Sequence, residues 1–312
     1  MPACLGAITR QALPPKEVLV IDNGSTDGSL EYVRGAHPEV RVIELGRNTG
    51  FAHAANEGLR SATTELVALV NADVVLSPEW LARMVEALAA ERGAASAACK
   101  MLSLADPSLV YDAGDILRRD GVCEQRGRFG RDDGRFDEPC EVFGACAGAA
   151  LYHRATVLEL GGFDERYFAY LEDVDLALRL RLAGWRCVYE PAVALHAGES
   201  SSGRLPGGHL RLVERNTLVL VAKAFPLRWL PLVAYRQLGS AWHAMLEGRL
   251  IWQLRGAAAG LAMLPFALRA RRRLRESAVV PIEVVVPSRP IRGPKAGGHP
   301  SKIASAGRAD RF

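Results

Sequence analysis

The first hundred residues alternate short aliphatic, β-branched runs with amphipathic stretches, and this alternation restricts the chain more than any other feature. Strands separated by helix-length segments need crossover connections, which give a parallel sheet covered by helices on both faces. Residues 17–21 and 40–45 read as strands, with a short helix at 28–35 between them. Residues 51–62 are expected to be helical and 66–70 a third strand. Residues 78–91 form the next helix, with Pro78 early, where a missing N–H costs nothing. Another strand is expected at 94–102, after which periodicity disappears between Asp106 and Pro139 among Arg, Asp and Gly. A stretch that long inside a compact domain is functional or mobile.

Regular structure resumes at 142–152, and 172–183 read as a helix closed by Gly184. Val174, Leu176, Leu178, Leu180 and Leu182 also alternate with period two, as a strand would. The helix is preferred because Leu171, Val174, Leu178 and Leu182 share one helical face, and because Glu172 and Asp173 suit a helix N-terminus. A short strand at 187–189 precedes Pro191. From about Arg211 the composition shifts to Leu, Ala, Trp and Arg without strand signals. The expected organisation is a catalytic-type α/β domain at 1–210, a helical annex at 211–276, and a disordered basic tail at 277–312 that is rich in Pro, Gly and Ala.

Charge and cysteine usage remove several classes. The net charge of +4 is too mild to call for a nucleic-acid partner, but it is unevenly spread. Residues 269–312 carry eleven Lys/Arg against three Asp/Glu, a net +8, which leaves 1–268 at −4. The six cysteines include no C-x-x-C pair, so reduced thiols are expected rather than structural zinc. Residues 1–10 lack a basic region followed by an apolar core, and Lys223, Pro226, Arg228 and Arg255 interrupt the apolar runs that might otherwise span a membrane.

In open α/β sheets, ligands gather at the carboxyl ends of the strands. Asp22 follows the first strand in Asp22-Asn-Gly-Ser-Thr-Asp-Gly28, and Asn71 and Asp73 follow the third. Either segment alone is also an ordinary turn. No glycine-rich phosphate motif accompanies them. A carboxylate edge repels a bare diphosphate and holds one through a hard divalent cation, which takes oxygen ligands and bridges to phosphate.

Five segments then carry a family resemblance: Val18-Leu-Val-Ile-Asp-Asn-Gly-Ser-Thr-Asp-Gly-Ser29, Asn48-Thr-Gly-Phe51 with Asn56-Glu-Gly58, Leu69-Val-Asn-Ala-Asp73, Gly161-Gly-Phe-Asp164 and Tyr170-Leu-Glu-Asp-Val-Asp-Leu176. In this order they resemble family 2 glycosyltransferases, most closely the rhamnosyltransferase-like enzymes of cell-surface polysaccharide assembly. The resemblance runs from about Cys4 to Phe225. It implies the GT-A (nucleotide-diphospho-sugar transferase) fold, a doubly wound, mostly parallel α/β sheet, here followed by the C-terminal helical annex.

The resemblance also implies residue roles. Asp22, Asn48, Asn71 and Asp73 would bind the nucleotide-sugar donor, with Asn71 replacing the first Asp of a D-x-D-like motif. Asp73 and His196 would hold Mg²⁺ or Mn²⁺. Asp173 would be the catalytic base, with Glu172 and Asp175 on the acceptor side. Each has a plain rival: Asp173 and Asp175 as helix-start carboxylates, His196 as a loop histidine. Arg215-Asn216 resembles a pair found after the catalytic core in such enzymes, without an assigned role. Cys4-Leu5 and Arg10-Gln11 match the family's first helix, yet only three residues precede it, so the family's first strand is expected to be missing.

One carboxylate base opposite the leaving group implies in-line displacement with inversion. The acceptor would be a polyprenyl-linked sugar or a polysaccharide in cell-envelope glycan synthesis. Trp and Arg interleaved with aliphatics after Arg211, followed by the basic run 269–275, suit peripheral attachment to an anionic membrane surface on the cytoplasmic side. A non-catalytic sugar-binding or inactive subunit on the same fold is the competing expectation.

Overall fold

The computed structural model describes residues 1–197 and 207–288. After helix α1 (Pro2–Thr9), strand β1 (Leu19–Asp22) crosses through α2 (Ser29–Ala36) to β2 (Arg41–Glu44), its parallel partner. Helix α3 (Phe51–Ser61) leads to β3 (Leu66–Val70), β4 (Val74–Leu76), α4 (Trp80–Ala90) and the long β5 (Ala94–Ser103). The stretch without periodicity folds into short strands β6 (Val110–Asp112), β7 (Asp115–Leu117) and β8 (Cys123–Gln125), followed by β9 (Cys140–Val142). Strand β10 (Ala149–His153), helices α5 (Arg154–Glu159) and α6 (Glu172–Leu182), and β11 (Arg186–His196) complete the α/β part. Helices α7 (Gly208–Ala224), α8 (Leu230–Leu246), α9 (Leu250–Ala262), α10 (Leu264–Ser277) and α11 (Ile282–Val285) follow.

The main sheet runs β3-β10-β5-β11-β4, with β6 added to β5 and β9 to β11. Strands β5 and β11 are parallel, whereas β10 runs antiparallel to both β3 and β5. Central β5 is built from small residues, and a register shift between Ala94 and Ser96 breaks its alternation of faces. Ala95 and Ala98 meet α3 and α6 through Ala52, Leu59, Leu176 and Leu180. Ala94, Ala97 and Cys99 meet Trp80, Met84 and Leu88 of α4 on the other face. Helix α6 forms as its apolar face and acidic first turn require.

Strand β11 is longer than the three residues expected. Pro191 stops a ladder only where its N–H is needed, and here it falls in a register break between Glu190 and Val193, where the missing donor is tolerated. All six cysteines are unpaired.

Among the described residues β1 pairs only with β2, and β3 only with β10, so the two form separate sheets with an unpaired edge each. Helix α1 covers the break by packing Leu5 with Val18 and Val20, and Ala7 and Ile8 with Leu66 and Val70. Helix α3 covers it from the other face, with Gly58 against Ile21 and Leu59 clustered with Val67 and Leu69.

Two expected boundaries change. Residues 277–288 are not an unpacked tail: Val285 and Val286 are buried with Leu178, Leu182, Phe225 and Trp229, and the N–H groups of Val279 and Val280 donate to the Leu182 carbonyl. The remainder of the expected tail, 289–312, lies outside the described residues. Helix α7, expected to open the annex, packs along α9 and α10, with Val219 against Ala267, and at the same time buries Leu220 against Val174 and Leu178 of α6, so it joins the annex to the α/β part. No single helix among the described residues is long and apolar enough to cross a membrane. Helices α9 and α10 reach that length and composition only together, with a 57° bend.

Candidate active site

The antiparallel register of β4 and β11 sets His196 opposite Val74, which carries the histidine to Asp73 in the turn just before β4. The Asp73 carboxylate lies 3.8 Å from His196 Nε2, and the Ala197 N–H donates to the Asp73 carbonyl. Burial lowers the pKa of His196 against the opposing pull of Asp73, so the ring favours its neutral, ligand-competent form. Asn71 closes the floor. Its N–H donates to the Gly148 carbonyl, and a Cβ on Gly148 would stand 3.4 Å from the Asn71 amide and 3.8 Å from the His196 ring. Asn71, Asp73 and His196 thus come together as expected. Among the described residues no group of three His, Cys, Asp or Glu forms a closed metal cage. Asp73 and His196 are a two-ligand set, which fits a hard cation that takes its remaining ligands from phosphate oxygens and water.

Asp22 is buried at the end of β1, where its Oδ1 accepts from the Ser25 N–H at 3.2 Å. Asn48 is used locally: its Oδ1 accepts from the Gly50 N–H and from Asn23 Nδ2. Asn23 in turn accepts from the Thr49 N–H and hydroxyl, so these two asparagines lock the turns after β1 and β2 together. Gly50 must be glycine, because its φ is +91° and a Cβ would lie 2.6 Å from the Phe168 carbonyl.

Asp173 opens the other side of the site as part of a buried acidic cluster that the sequence reading did not assemble. Asp112 of β6, Asp115 of β7 and Glu172 join it, and each leaves one carboxylate oxygen without a partner among the described residues. Burial raises the pKa of all four, and the neighbouring Asp173 charge adds to the effect on Asp112, Asp115 and Glu172. Asp112 is pushed up to about 7, and Asp115 and Glu172 go well above the carboxylate range. Asp173 is raised by burial but opposed by backbone donors, the N–H of Ala147 at 3.2 Å and its neighbour Val174 at 2.9 Å. Those donors favour its ionised form against the effect of burial.

The loop that presents this helix is strained. Phe168, Tyr170 and Leu171 all have positive φ, between 64° and 69°. Such conformations cost on the order of 1 kcal/mol or more each and persist only when something holds them. Helix α7 holds them. Asn216 Nδ2 donates to the carbonyls of Tyr167, Ala169 and Tyr170, and Arg215 reaches those of Arg166 and Tyr167. The pair without an assigned role is therefore a clamp on the loop before Asp173.

Asp175 is not on the acceptor side. It is 1 % exposed, ion-pairs with Lys223 at 2.6 Å and Arg179 at 2.8 Å, and accepts from the Tyr167 hydroxyl. Two positions along a helix point to different faces, and Asp175 faces α7. Glu172, by contrast, stays within the acidic cluster. The signal for Asp112 and Asp115 was Asp112-Ala-Gly-Asp115 itself, hidden in the stretch without periodicity.

The α/β sheet carries a carboxylate–histidine pair at the end of β11 and a second group of carboxylates around the start of α6. The sequence model of glycosyl transferase family 2 matches residues 1–161. The chain belongs to that family and is a glycosyltransferase. It is 32 % identical over 244 residues to N-acetylglucosaminyl-diphospho-decaprenol L-rhamnosyltransferase of Mycobacterium tuberculosis H37Rv, covering 69 % of this chain and 79 % of the relative. It is 28 % identical to rhamnosyltransferase WbbL of Escherichia coli K12, covering 54 % and 64 %. The fold is that of mannosyltransferase PcManGT from Pyrobaculum calidifontis, solved with GDP-Man and Mn²⁺, at TM-score 0.50 and 20 % identity over 88 % of this chain and 82 % of that one. GalNAc-T7, solved with UDP, GalNAc and Mn²⁺, gives TM-score 0.52 and 16 % identity, covering 70 % of this chain and 46 % of its own.

Proposed function

We propose that the chain transfers a sugar, rhamnose by its likeness to the two rhamnosyltransferases, from a nucleoside diphosphate to a polyprenyl-diphosphate-linked acceptor in envelope glycan synthesis, with inversion. The observation that carries this reading is the pairing of Asp73 with His196 at the end of β11, together with the Asp173 carboxylate held by two backbone N–H donors at the start of α6. Asp173 takes the proton from the acceptor hydroxyl as it attacks the anomeric carbon, a role that contributes about 10²–10⁴ in rate. The Ala147 and Val174 N–H groups hold the carboxylate and fix the direction in which it accepts. Asp112, Asp115 and Glu172, all raised above the ordinary carboxylate range by burial, are weaker candidates for the base because each leaves a buried oxygen without a partner. Asp73 and His196 would hold a divalent cation, Mg²⁺ or Mn²⁺, which when bound neutralises charge developing on the departing diphosphate. Asp22, Asn71 and, through its turn, Asn48 shape the donor side.

Helices α8 and α9 support peripheral attachment to the inner face of the cell membrane. They expose Leu232, Tyr235, Leu238, Trp242, Met245, Ile251 and Leu254, and the basic α10 follows. The test of the function is kinetic: Asp173→Asn is expected to lower turnover by roughly 10²–10⁴ with donor affinity unchanged. Retained turnover in Asp173→Asn, alongside a dead Glu172→Gln, would move the base and sink the assignment.

A further inference from the structure

Five side chains form a continuous stack from the surface to the donor-side carboxylate. Asp73 meets His196 at 3.8 Å, and His196 stacks on Tyr111 with ring centroids 4.1 Å apart and planes at 9°. The Arg128 guanidinium covers the Tyr111 ring at 4.6 Å, and the Phe129 ring at 4.9 Å. The tip of this stack is held open at a cost. Phe129 is 75 % exposed with φ +62°, a conformation that a bulky residue rarely adopts, and backbone bonds pin it to β6 (Phe129 N–H to the Val110 carbonyl, Val110 N–H to the Gly130 carbonyl).

Arg128 also differs from its neighbours. Arg118 and Arg135 are paired with carboxylates, Arg119 donates to the Val286 carbonyl and Arg126 to that of Ala113. Among the described residues Arg128 forms no salt bridge, and its guanidinium, resting on the Tyr111 and Phe129 rings and hydrogen-bonded to Tyr111, has further N–H groups to offer an oxyanion. Its charge is felt at Asp112, at His196 and at His209 of α7. Through the Tyr111 ring Arg128 adjoins His196 and Asp73, and Asp112, next to Tyr111 in β6, belongs to the acidic cluster, so Arg128 lies between the two groups. Trp252 of α9 packs against Gly207, two residues from His209, so the exposed apolar face of α9 begins close to His209.

We propose that Arg128 and Phe129 form a subsite for the head of a diphosphate-linked glycolipid acceptor, Arg128 ion-pairing with a phosphate and the Phe129 ring carrying the apolar face of the sugar. This rests on the transfer reading above. The donor offers the same diphosphate chemistry, so the experiment separates the two sources. Acceptor KM is measured with a sugar-diphospho-polyprenol and with the corresponding alkyl glycoside lacking the diphosphate, and donor Kd is measured by calorimetry.

Arg128→Ala is expected to raise KM for the diphosphate acceptor about 10–100-fold, to leave the alkyl glycoside and donor Kd within about twofold, and to be partly rescued by Arg128→Lys. Phe129→Ala is expected to raise KM for both acceptors, whereas Phe129→Tyr retains the wild-type value. Weakened donor binding with unchanged acceptor KM would assign the arginine to the donor and overturn the proposal. Unchanged acceptor KM in both variants would overturn it as well, leaving the transferase intact. A wild-type chain that transfers nothing, yet binds the diphosphate lipid in detergent micelles through Arg128, would overturn the transfer reading and leave the subsite standing.

Discussion

The side-chain amide of Asn216 donates to the main-chain carbonyl of Tyr170 at 2.6 Å, joining a fully buried residue of α7 to a positive-φ residue three positions before Asp173. The same nitrogen reaches Tyr167 and Ala169, so one amide spans the strained loop. The start of helix α6, with Asp173, is thereby tied to a helix more than forty residues downstream.

Asn216→Ala is expected to relax this loop and move Asp173 relative to its backbone donors. Losing the clamp costs about 1 kcal/mol per hydrogen bond in stability. In the folded enzyme kcat should fall roughly 10–100-fold with donor Kd unchanged, because a misplaced base acts in the transition state alone. The acid limb of the kcat–pH profile should also shift. Lower melting temperature with unchanged kcat and pH profile would reduce the clamp to a structural role.

On the donor side, Asp73→Ala leaves His196 as a lone ligand. Calorimetric affinity for a nucleoside diphosphate in the presence of Mn²⁺ should drop roughly 10–100-fold, the range found when a metal site loses a supporting contact. Wild-type protein treated with chelator should resemble the variant. Equal affinities for all three samples would place the diphosphate elsewhere.

Much of this was legible in the sequence because local patterns and the final structure agree. The alternation of strands and helices from Leu19 to Ser103, apart from the three-residue β4, and helix α6 with its acidic first turn follow from periodicity and end chemistry, whereas α1 was placed only through the resemblance. Asp73 and His196 lie more than a hundred residues apart and were paired only through the resemblance, since the β4–β11 register that joins them leaves no local trace. Asp112 and Asp115 were missed because strands of three residues have no period to detect. Asp175 was misplaced for the opposite reason: it has the look of a site carboxylate in sequence, but Lys223, which pairs with it, sits on a distant helix. The packing of Val285 and Val286 was likewise hidden, because a four-residue helix gains its order from the groove it fills.

The acidic cluster makes stability depend on pH. Burial, together with the nearby Asp173 charge, lifts Asp112 from 3.8 to about 7 against the pull of the Gly114 N–H. A folded-state pKa above the unfolded value favours folding below about pH 4, and the benefit is lost as pH rises through 7. Asp112→Asn keeps an acceptor for Gly114 and removes the charge that must otherwise be buried. Denaturant unfolding should show the variant about 1–3 kcal/mol more stable than wild type at pH 8, with the difference vanishing near pH 4. A variant less stable at pH 8 would show that ionised Asp112 is paired rather than penalised.

The exposed face of α8 sets the last expectation. Leu232, Tyr235, Leu238, Trp242 and Met245 recur at three- and four-residue spacing, so they form one stripe, and all five are exposed. A stripe of large apolar side chains in water is costly, and each contributes about 1–3 kcal/mol when buried in an apolar phase. The adjoining α10 carries Arg269, Arg272, Arg273 and Arg275, each worth roughly 1 kcal/mol near an anionic surface. Apolar insertion is insensitive to salt, whereas the arginine attraction is screened beyond about 8 Å at physiological ionic strength. Wild-type protein should therefore sediment with anionic vesicles, more at low salt and less on neutral ones. Leu238→Ser with Trp242→Ser should weaken binding at every salt concentration, because those side chains touch nothing the fold needs. Replacing Arg272 and Arg273 should remove only the salt-dependent part. Unchanged partition of the Leu238/Trp242 variant, with its melting temperature preserved, would take the membrane away from this face.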